Sequence, residues 1–170
     1  GGITVVTGAV DMSGTNTSFR AIAADTFGVP LESVRVSYAD TATAPHAPPS
    51  GGSGVTYSVG QSVRAAAEDA REQLLEFASS QMDVAASDLE VVDGMVRPVG
   101  SPDRGKSVEH FAAQVTGFVA VAPLIEGRGR FAPGNPSPSV ACHIAHVRVD
   151  ADTGEVETLD YVVVQDVGKA

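Results

Sequence analysis

The sequence predicts an α+β fold, a two-layer α/β arrangement with a mixed sheet, on three observations. Runs rich in β-branched residues, Ile3–Thr7 and Val34–Tyr38, are each followed by a stretch with helical spacing. After the second helix the order changes to a hairpin and further strands, so no regular βαβα alternation runs throughout. Apolar residues make up 43% and charged residues 19% of 170 residues, which supports a packed core and argues against disorder.

Taken in order, Ile3–Thr7 alternates and reads as a strand. A polar, glycine-bearing loop, Asp11-Met12-Ser13-Gly14-Thr15-Asn16-Thr17, opens onto a helix expected from about Ser18, with Phe19, Ile22, Ala23 and Phe27 on one face. Gly28 and Pro30 stop that helix before the strand Val34–Tyr38. Between residues 40 and 54, Pro45, Pro48, Pro49, Gly51, Gly52 and Gly54 forbid regular structure. The longest helix is expected over residues 58–80, with Val59, Val63, Ala66, Ala70, Leu74 and Phe77 as its apolar stripe. Asp93-Gly94 between two apolar runs predicts a two-residue hairpin. Ser107 caps a short helix running to about Gln114. Residues 116–138, with Gly127, Gly129, Pro133, Gly134, Pro136 and Pro138, read as a surface loop or a segment ordered by a partner. Strands over 144–149 and 155–164, turning at Asp152-Thr153-Gly154, close the chain. The expected division is an αβ unit over 1–98, an irregular connection with a short helix over 99–139, and the start of a second, truncated αβ unit over 140–170.

Composition narrows the possible functions. The formal net charge is −10, from 21 acidic and 11 basic side chains, and no basic run of five residues exists. Nucleic acid and anionic membrane are therefore excluded as expected partners, because both are bound by clustered Lys and Arg. A bound anion has to be held locally, by backbone N–H groups and helix ends. Cys142 is the only cysteine, so neither an internal disulfide nor a cysteine-ligated cluster is available, and a reducing, cytoplasmic setting is expected. No apolar stretch approaches the ~20 residues that cross a bilayer. The Gly1-Gly2-Ile3 start is neither a signal peptide nor a Met, and the chain is expected to be a fragment of a longer one.

Two loops stand out as candidate sites, Ser13-Gly14-Thr15-Asn16 and Ser50-Gly51-Gly52-Ser53, each opening onto a helix. Glycine lets a backbone approach a ligand, and a first helical turn offers unpaired N–H groups and partial positive charge. Each loop suits a phosphate or polar heterocycle; the bland reading of each is an ordinary turn feeding an N-cap. Neither matches the phosphate-binding GxxxxGK[ST] or dinucleotide-binding GxGxxG pattern. His143 and His146 fall on opposite faces of a strand, which argues against a shared metal. His46 reads as a solvent-facing loop residue, His110 as helix surface, and Cys142 as a small buried apolar residue. Asp40, Asp150, Asp160 and Asp166 read as strand-end or turn residues. No catalytic residue and no metal ligand is assigned.

The ordered set of landmarks resembles the molybdopterin-binding large subunits of the xanthine dehydrogenase/aldehyde oxidase family, which include carbon monoxide dehydrogenases. These landmarks are Asp11-Met12-Ser13-Gly14-Thr15 with Ala24-Asp25-Thr26-Phe27-Gly28-Val29-Pro30, then Ala39-Asp40-Thr41. Ser50-Gly51-Gly52-Ser53 with Val59-Gly60-Gln61-Ser62-Val63 follows, and Val147-Arg148-Val149-Asp150, Thr153-Gly154-Glu155-Val156 and Gln165-Asp166-Val167-Gly168-Lys169-Ala170 complete the set. The resemblance implies a molybdenum cofactor-binding fold and a molybdopterin cofactor, in its plain or cytosine dinucleotide form. It implies cofactor contacts from Ser13, Gly14, Thr15 and Asn16 toward the metal end, and from Ser50, Gly51, Gly52 and Ser53 toward the pterin, with Gly52 foremost.

In the whole enzyme it implies water-derived hydroxylation of an aldehyde or N-heterocycle, with iron–sulfur clusters and FAD on partner domains or subunits. Two departures matter. Many members carry Gly-Gln-Gly where this chain has Ser13-Gly14-Thr15, leaving Asn16 as the available side-chain amide. The family's glutamate base lies on a later Gly-x-Gly-Glu segment outside this chain, so the fragment alone is expected to be inactive. The competing readings are a non-catalytic anion- or nucleotide-binding module and a purely structural one.

Overall fold

The computed structural model describes residues 2–38, 41–116, 123–132, 134, 138 and 140–167. The chain divides into two compact units, Gly1–Ala132 and Pro133–Ala170. The α+β class is observed, with parallel pairing in one sheet and antiparallel pairing in two others.

In the first unit, β1 (Ile3–Thr7) leads to α1 (Thr15–Phe27), β2 (Val34–Tyr38) and α2 (Val55–Met82). Strands β1 and β2 pair in parallel, from Ile3 opposite Val34 to Thr7 opposite Tyr38. Helix α1 is the crossover that a parallel pair requires. It buries Phe19, Ala23 and Phe27, spaced by four, and ends at Gly28. Arg20 ties the following turn, donating from Nε to the Val34 carbonyl (2.9 Å) and from Nη2 to the Leu31 carbonyl (3.1 Å).

Two buried clusters run along the helices. Phe19, Ala23 and Ala24 of α1 pack with Val55, Val59 and Val63 of α2. Phe27 of α1 packs with Leu74 and Ala78 of α2 and with Phe111. The early parts of both helices thus share one cluster and the later parts the other, so the helices run side by side in the same direction.

A hairpin of β3 (Leu89–Val92) and β4 (Met95–Pro98) turns on Asp93 and Gly94, both at positive φ (50° and 76°), the backbone that two-residue hairpins favour. A short β5 (Lys106–Ser107) joins β4, and α3 (Val108–Thr116) follows. The Ser107 hydroxyl accepts the His110 N–H at 3.2 Å, the expected cap. Phe111 of α3 is fully buried and meets Phe77 edge-on at 6.1 Å between ring centroids.

The second unit is an antiparallel pair, β6 (Ala141–Val149) and β7 (Val156–Gln165), with a bulge at His146/Val147. Its turn is built on Asp150, whose Oδ1 accepts the N–H groups of Asp152 (3.0 Å) and Thr153 (2.8 Å) and the Thr153 hydroxyl (3.0 Å). These bonds hold the Asp150 carboxyl below its ordinary pKa, led by the Thr153 N–H. Side chains on both faces of this pair are exposed. Cys142, expected to be buried, is exposed for that reason: within its unit no second layer among the described residues covers the strands.

Residues 116–138 are not uniformly irregular. Residues 123–132 form an extended strap along α2. Ile125, Gly127 and Gly129 face inward, while Glu126, Arg128 and Arg130 face out. A Cβ on Gly127 would lie 2.6 Å from Ala70 N and would strike the Ala66 carbonyl; one on Gly129 would lie 2.6 Å from Ala66 N and strike the Ser62 carbonyl. Only glycine permits this approach. Two residues of extended chain advance about 6.6 Å and four of helix about 6.0 Å, so glycines two apart match small residues four apart. Ala66 and Ala70 lie under the strap, Ala70 also packing against the second cluster as expected, while Val55, Val59, Val63, Ala67, Leu74 and Ala78 are among the buried residues of the helix.

The strap's backbone is read by side chains of α2. Gln73 donates from Nε2 to the Glu126 carbonyl (3.0 Å) and accepts the Glu126 N–H on Oε1 (3.2 Å). Asp69 accepts the Arg128 N–H at 2.8 Å, which with the Gln73 amide holds its carboxyl below the ordinary value.

Candidate functional site

Both candidate loops follow parallel strands, so both emerge at the same carboxyl edge of the β1–β2 pair, the usual ligand edge of such a sheet. Packing agrees with the topology. Gly8, just past β1, lies against Pro45 and Ala47 of the segment leading to the second loop. Ala9, Phe19 and Val55 share one buried cluster.

The two loops share a backbone device. Ser13 and Gly14 (φ 57° and 76°) precede α1, and Gly52 and Ser53 (φ 59° and 55°) precede α2 as its N-cap Gly54 begins. Serine in this left-handed region is strained, and such strain concentrates at ligand sites.

Their chemistry differs. Helix α1 begins at Thr15 and not at Ser18, so Thr15 and Asn16 stand in its first turn. The cause is Asp11, whose Oδ1 accepts the Asn16 N–H at 3.1 Å and the Thr15 hydroxyl at 3.3 Å. The Thr15 hydroxyl also lies 3.2 Å from the Val10 carbonyl, and Thr15 is buried. An amide and a hydroxyl expected to face a ligand are therefore engaged inside the loop, and an acid already sits at the positive end of the helix. The Asn16 side-chain oxygen is shielded and has no partner among the described residues. Asp11 is the residue that sequence reasoning passed over; its position four before a buried threonine was the available signal.

The second loop is open. Helix α2 begins at Val55 and not at Ser58, because Gly54 takes the cap position and its carbonyl accepts the Ser58 N–H (2.9 Å) and hydroxyl (2.9 Å). Among the described residues no side chain caps this helix, and no acid lies in its first turn. Ser50, Gly51, Gly52 and Ser53 are exposed, and nothing among the described residues lies within 4 Å of a Cβ placed on Gly51 or Gly52. Of the two loops, this one leaves its helix start without a side-chain cap among the described residues and its glycines facing open space. It fits an anionic, polar group.

Other candidates do not join the site. Ala39 and Asp40 lie outside the described residues, as do Gly168, Lys169 and Ala170. His143 on β6 bonds through Nδ1 to the Tyr161 hydroxyl at 3.0 Å. Among the described residues no cluster of three His, Cys, Asp or Glu could hold a metal ion. A cavity of about 140 Å³ lies at the other end of β1, lined by Ile3, Pro30, Asp93 and Ser107 among others.

The sequence pattern of the molybdopterin cofactor-binding domain matches residues 1–170. The chain belongs to the molybdopterin cofactor-binding domain family. Solved structures agree. Quinoline 2-oxidoreductase from Pseudomonas putida 86 is 26% identical, with a TM-score of 0.84 over 99% of this chain and 22% of that one. The Cu,Mo-CO dehydrogenase is 22% identical, with a TM-score of 0.82 over 93% of this chain and 20% of that one. The reconstituted CO dehydrogenase from Oligotropha carboxidovorans is 22% identical, with a TM-score of 0.81 over 92% of this chain and 20% of that one. This molybdopterin cofactor-binding domain thus spans about a fifth of the length of the proteins it matches. No helix among its described residues is long and apolar enough to cross a membrane.

Proposed function

We propose that the domain is part of the cofactor-binding large subunit of a molybdenum hydroxylase of the xanthine dehydrogenase/aldehyde oxidase type, which hydroxylates an aldehyde or N-heterocycle. The observation that carries this reading is the second loop: Gly52 and Ser53 at positive φ, open to solvent, over a helix start with no side-chain cap among the described residues. When bound, the molybdenum centre supplies two-electron redox chemistry with water as the oxygen source. Residues Ser50, Gly51, Gly52 and Ser53 hold the anionic and polar parts of the cofactor with N–H groups and hydroxyls. Ser13, Gly14, Thr15 and Asn16 shape the other side of the site, with Asp11 fixing their backbone.

The likeness to quinoline 2-oxidoreductase supports an N-heterocycle over an aldehyde. The cytosine dinucleotide form of the cofactor, iron–sulfur and FAD partners, completion of residues 140–170 by later segments, and a cytoplasmic location belong to the same reading. A second reading, a non-catalytic anion-binding module, draws on the first loop, where Ser13-Gly14-Thr15 replaces the family's glutamine motif and Asp11 occupies the helix start. Metal analysis separates the two. The full-length parent, expressed in a host that makes the cofactor, is expected to contain molybdenum near one atom per subunit; a metal-free protein favours the module.

A further inference from the structure

Among the described residues, the second loop is closed by bonds from its own neighbourhood. The Gly54 N–H donates to the Gly51 carbonyl (3.2 Å), and the Ser58 N–H and hydroxyl donate to the Gly54 carbonyl (2.9 Å each). Ser53 keeps φ at 55°, a conformation that a residue with a Cβ holds only where its surroundings impose it. The loop is therefore as well fixed as the turn of helix it leads into.

That first turn of α2 is gripped on two sides. Val55 is buried in the first cluster with Ala9, Phe19 and Val59. Tyr57 lies about 200° further round the helix, on the side away from Val55. There its ring meets Phe131, near the end of the strap, edge-on at 5.7 Å between ring centroids. Aromatic pairs attract in this geometry.

Phe131 is in turn placed by the strap. Gln73 holds both backbone groups of Glu126 (3.0 and 3.2 Å), and Gly127 lies against Ala66 and Ala70. Asp69 accepts the Arg128 N–H (2.8 Å), and Gly129 lies against Ser62 and Ala66. These contacts step back along α2 toward Tyr57, so the strap runs antiparallel to the helix. Its register is fixed, because a slip of one residue would turn Arg128 or Arg130 toward helix backbone that leaves no room for a Cβ. The register decides which helix residue the Phe131 ring reaches.

We propose that Phe131 is a positioning residue for the cofactor loop: the strap brings its ring to Tyr57, and this contact holds the first turn of α2 and with it Ser50-Gly51-Gly52-Ser53. That the loop so held serves the cofactor rests on the function proposed above; the positioning itself does not. The test is hydrogen exchange on the full-length parent, read in peptides covering residues 51–58, with thermal midpoints and molybdenum content alongside. Phe131→Ala is expected to raise exchange there roughly two- to tenfold, the worth of one aromatic pair, and to lower molybdenum content. Phe131→Tyr keeps the ring edge and is expected to restore both. Gly129→Val, which lifts the strap, is expected to match Phe131→Ala at 51–58, and the double variant to add nothing further, because both act through one contact. Gly100→Ala, on the turn after β4, controls for general destabilisation and is expected to leave 51–58 at the parent's rate. Exchange in Phe131→Ala equal to the parent's, or matched by Gly100→Ala, overturns the positioning role. If the loop loosens as expected while molybdenum stays at the parent's value, the positioning stands and the cofactor-holding role of the loop fails.

Discussion

At the scale of single residues, the site turns on where one carboxylate sits. A helix start with free N–H groups binds anions, and an acid placed there occupies the same groups. Asp11 does this at α1, through the Asn16 N–H and the Thr15 hydroxyl, while α2 has no equivalent among the described residues. The two loops look alike in sequence, both small, polar and followed by a helix. They are opposite in electrostatics, one carrying an acid and the other left open. Asp11→Ala is expected to destabilise the domain by about 1 kcal/mol, the cost of a lost N-terminal cap, measured by denaturant unfolding. Asp11→Asn keeps an acceptor oxygen and is expected to cost less. Equal stability of Asp11→Ala and the parent would show that the cap contributes nothing.

At the scale of elements, the strap is held by geometry that a helix and an extended chain share only at matched spacing. Gly129→Val would drive a side chain into the Ser62 carbonyl and Ala66 N, so the strap has to lift. Hydrogen exchange reads this directly: the Arg128 amide, bonded to Asp69 in the parent, is expected to exchange much faster in Gly129→Val. The same amide reports on pH. Because the folded Asp69 carboxyl titrates below its ordinary value of 3.8, its contribution is present above that value and is lost as pH falls through the lowered one.

The strap also shows what the sequence conceals. Gly127 and Gly129 are legible as breakers, and the smallness of Ser62, Ala66 and Ala70 is legible on a helix. That the two sets pair is a long-range match that no local period records. The apolar stripe therefore gave no sign that Ala66 and Ala70 also carry the strap. The hairpin at Asp93-Gly94 and the cap at Ser107 were legible because their causes lie within four residues. Both helix starts came earlier than their periodicity indicated, because Asp11 and Gly54, outside the apolar pattern, set them.

At the scale of the whole molecule, a β–α–β–α order with parallel strands brings two loops, separated by some forty residues of sequence, to one sheet edge. The class and the ordered landmarks were readable from the chain, and the shared edge follows once the strands are known to be parallel. The remaining question is whether Gly52 is glycine for backbone strain or for access to a ligand. Gly100, on the turn after β4, provides a matched reference: it too has positive φ (77°) and open space around a placed Cβ. Alanine at either position is expected to cost a similar amount of stability, about 1–2 kcal/mol, because each forces an L residue into left-handed backbone. Access differs between them. In the full-length parent, Gly52→Ala is expected to lower molybdenum content severalfold, because its methyl group stands in the open space of the loop proposed to hold the cofactor, while Gly100→Ala leaves content near that of the parent. If both variants unfold at similar denaturant concentrations and both keep their molybdenum, strain alone accounts for Gly52, and the second loop holds no cofactor.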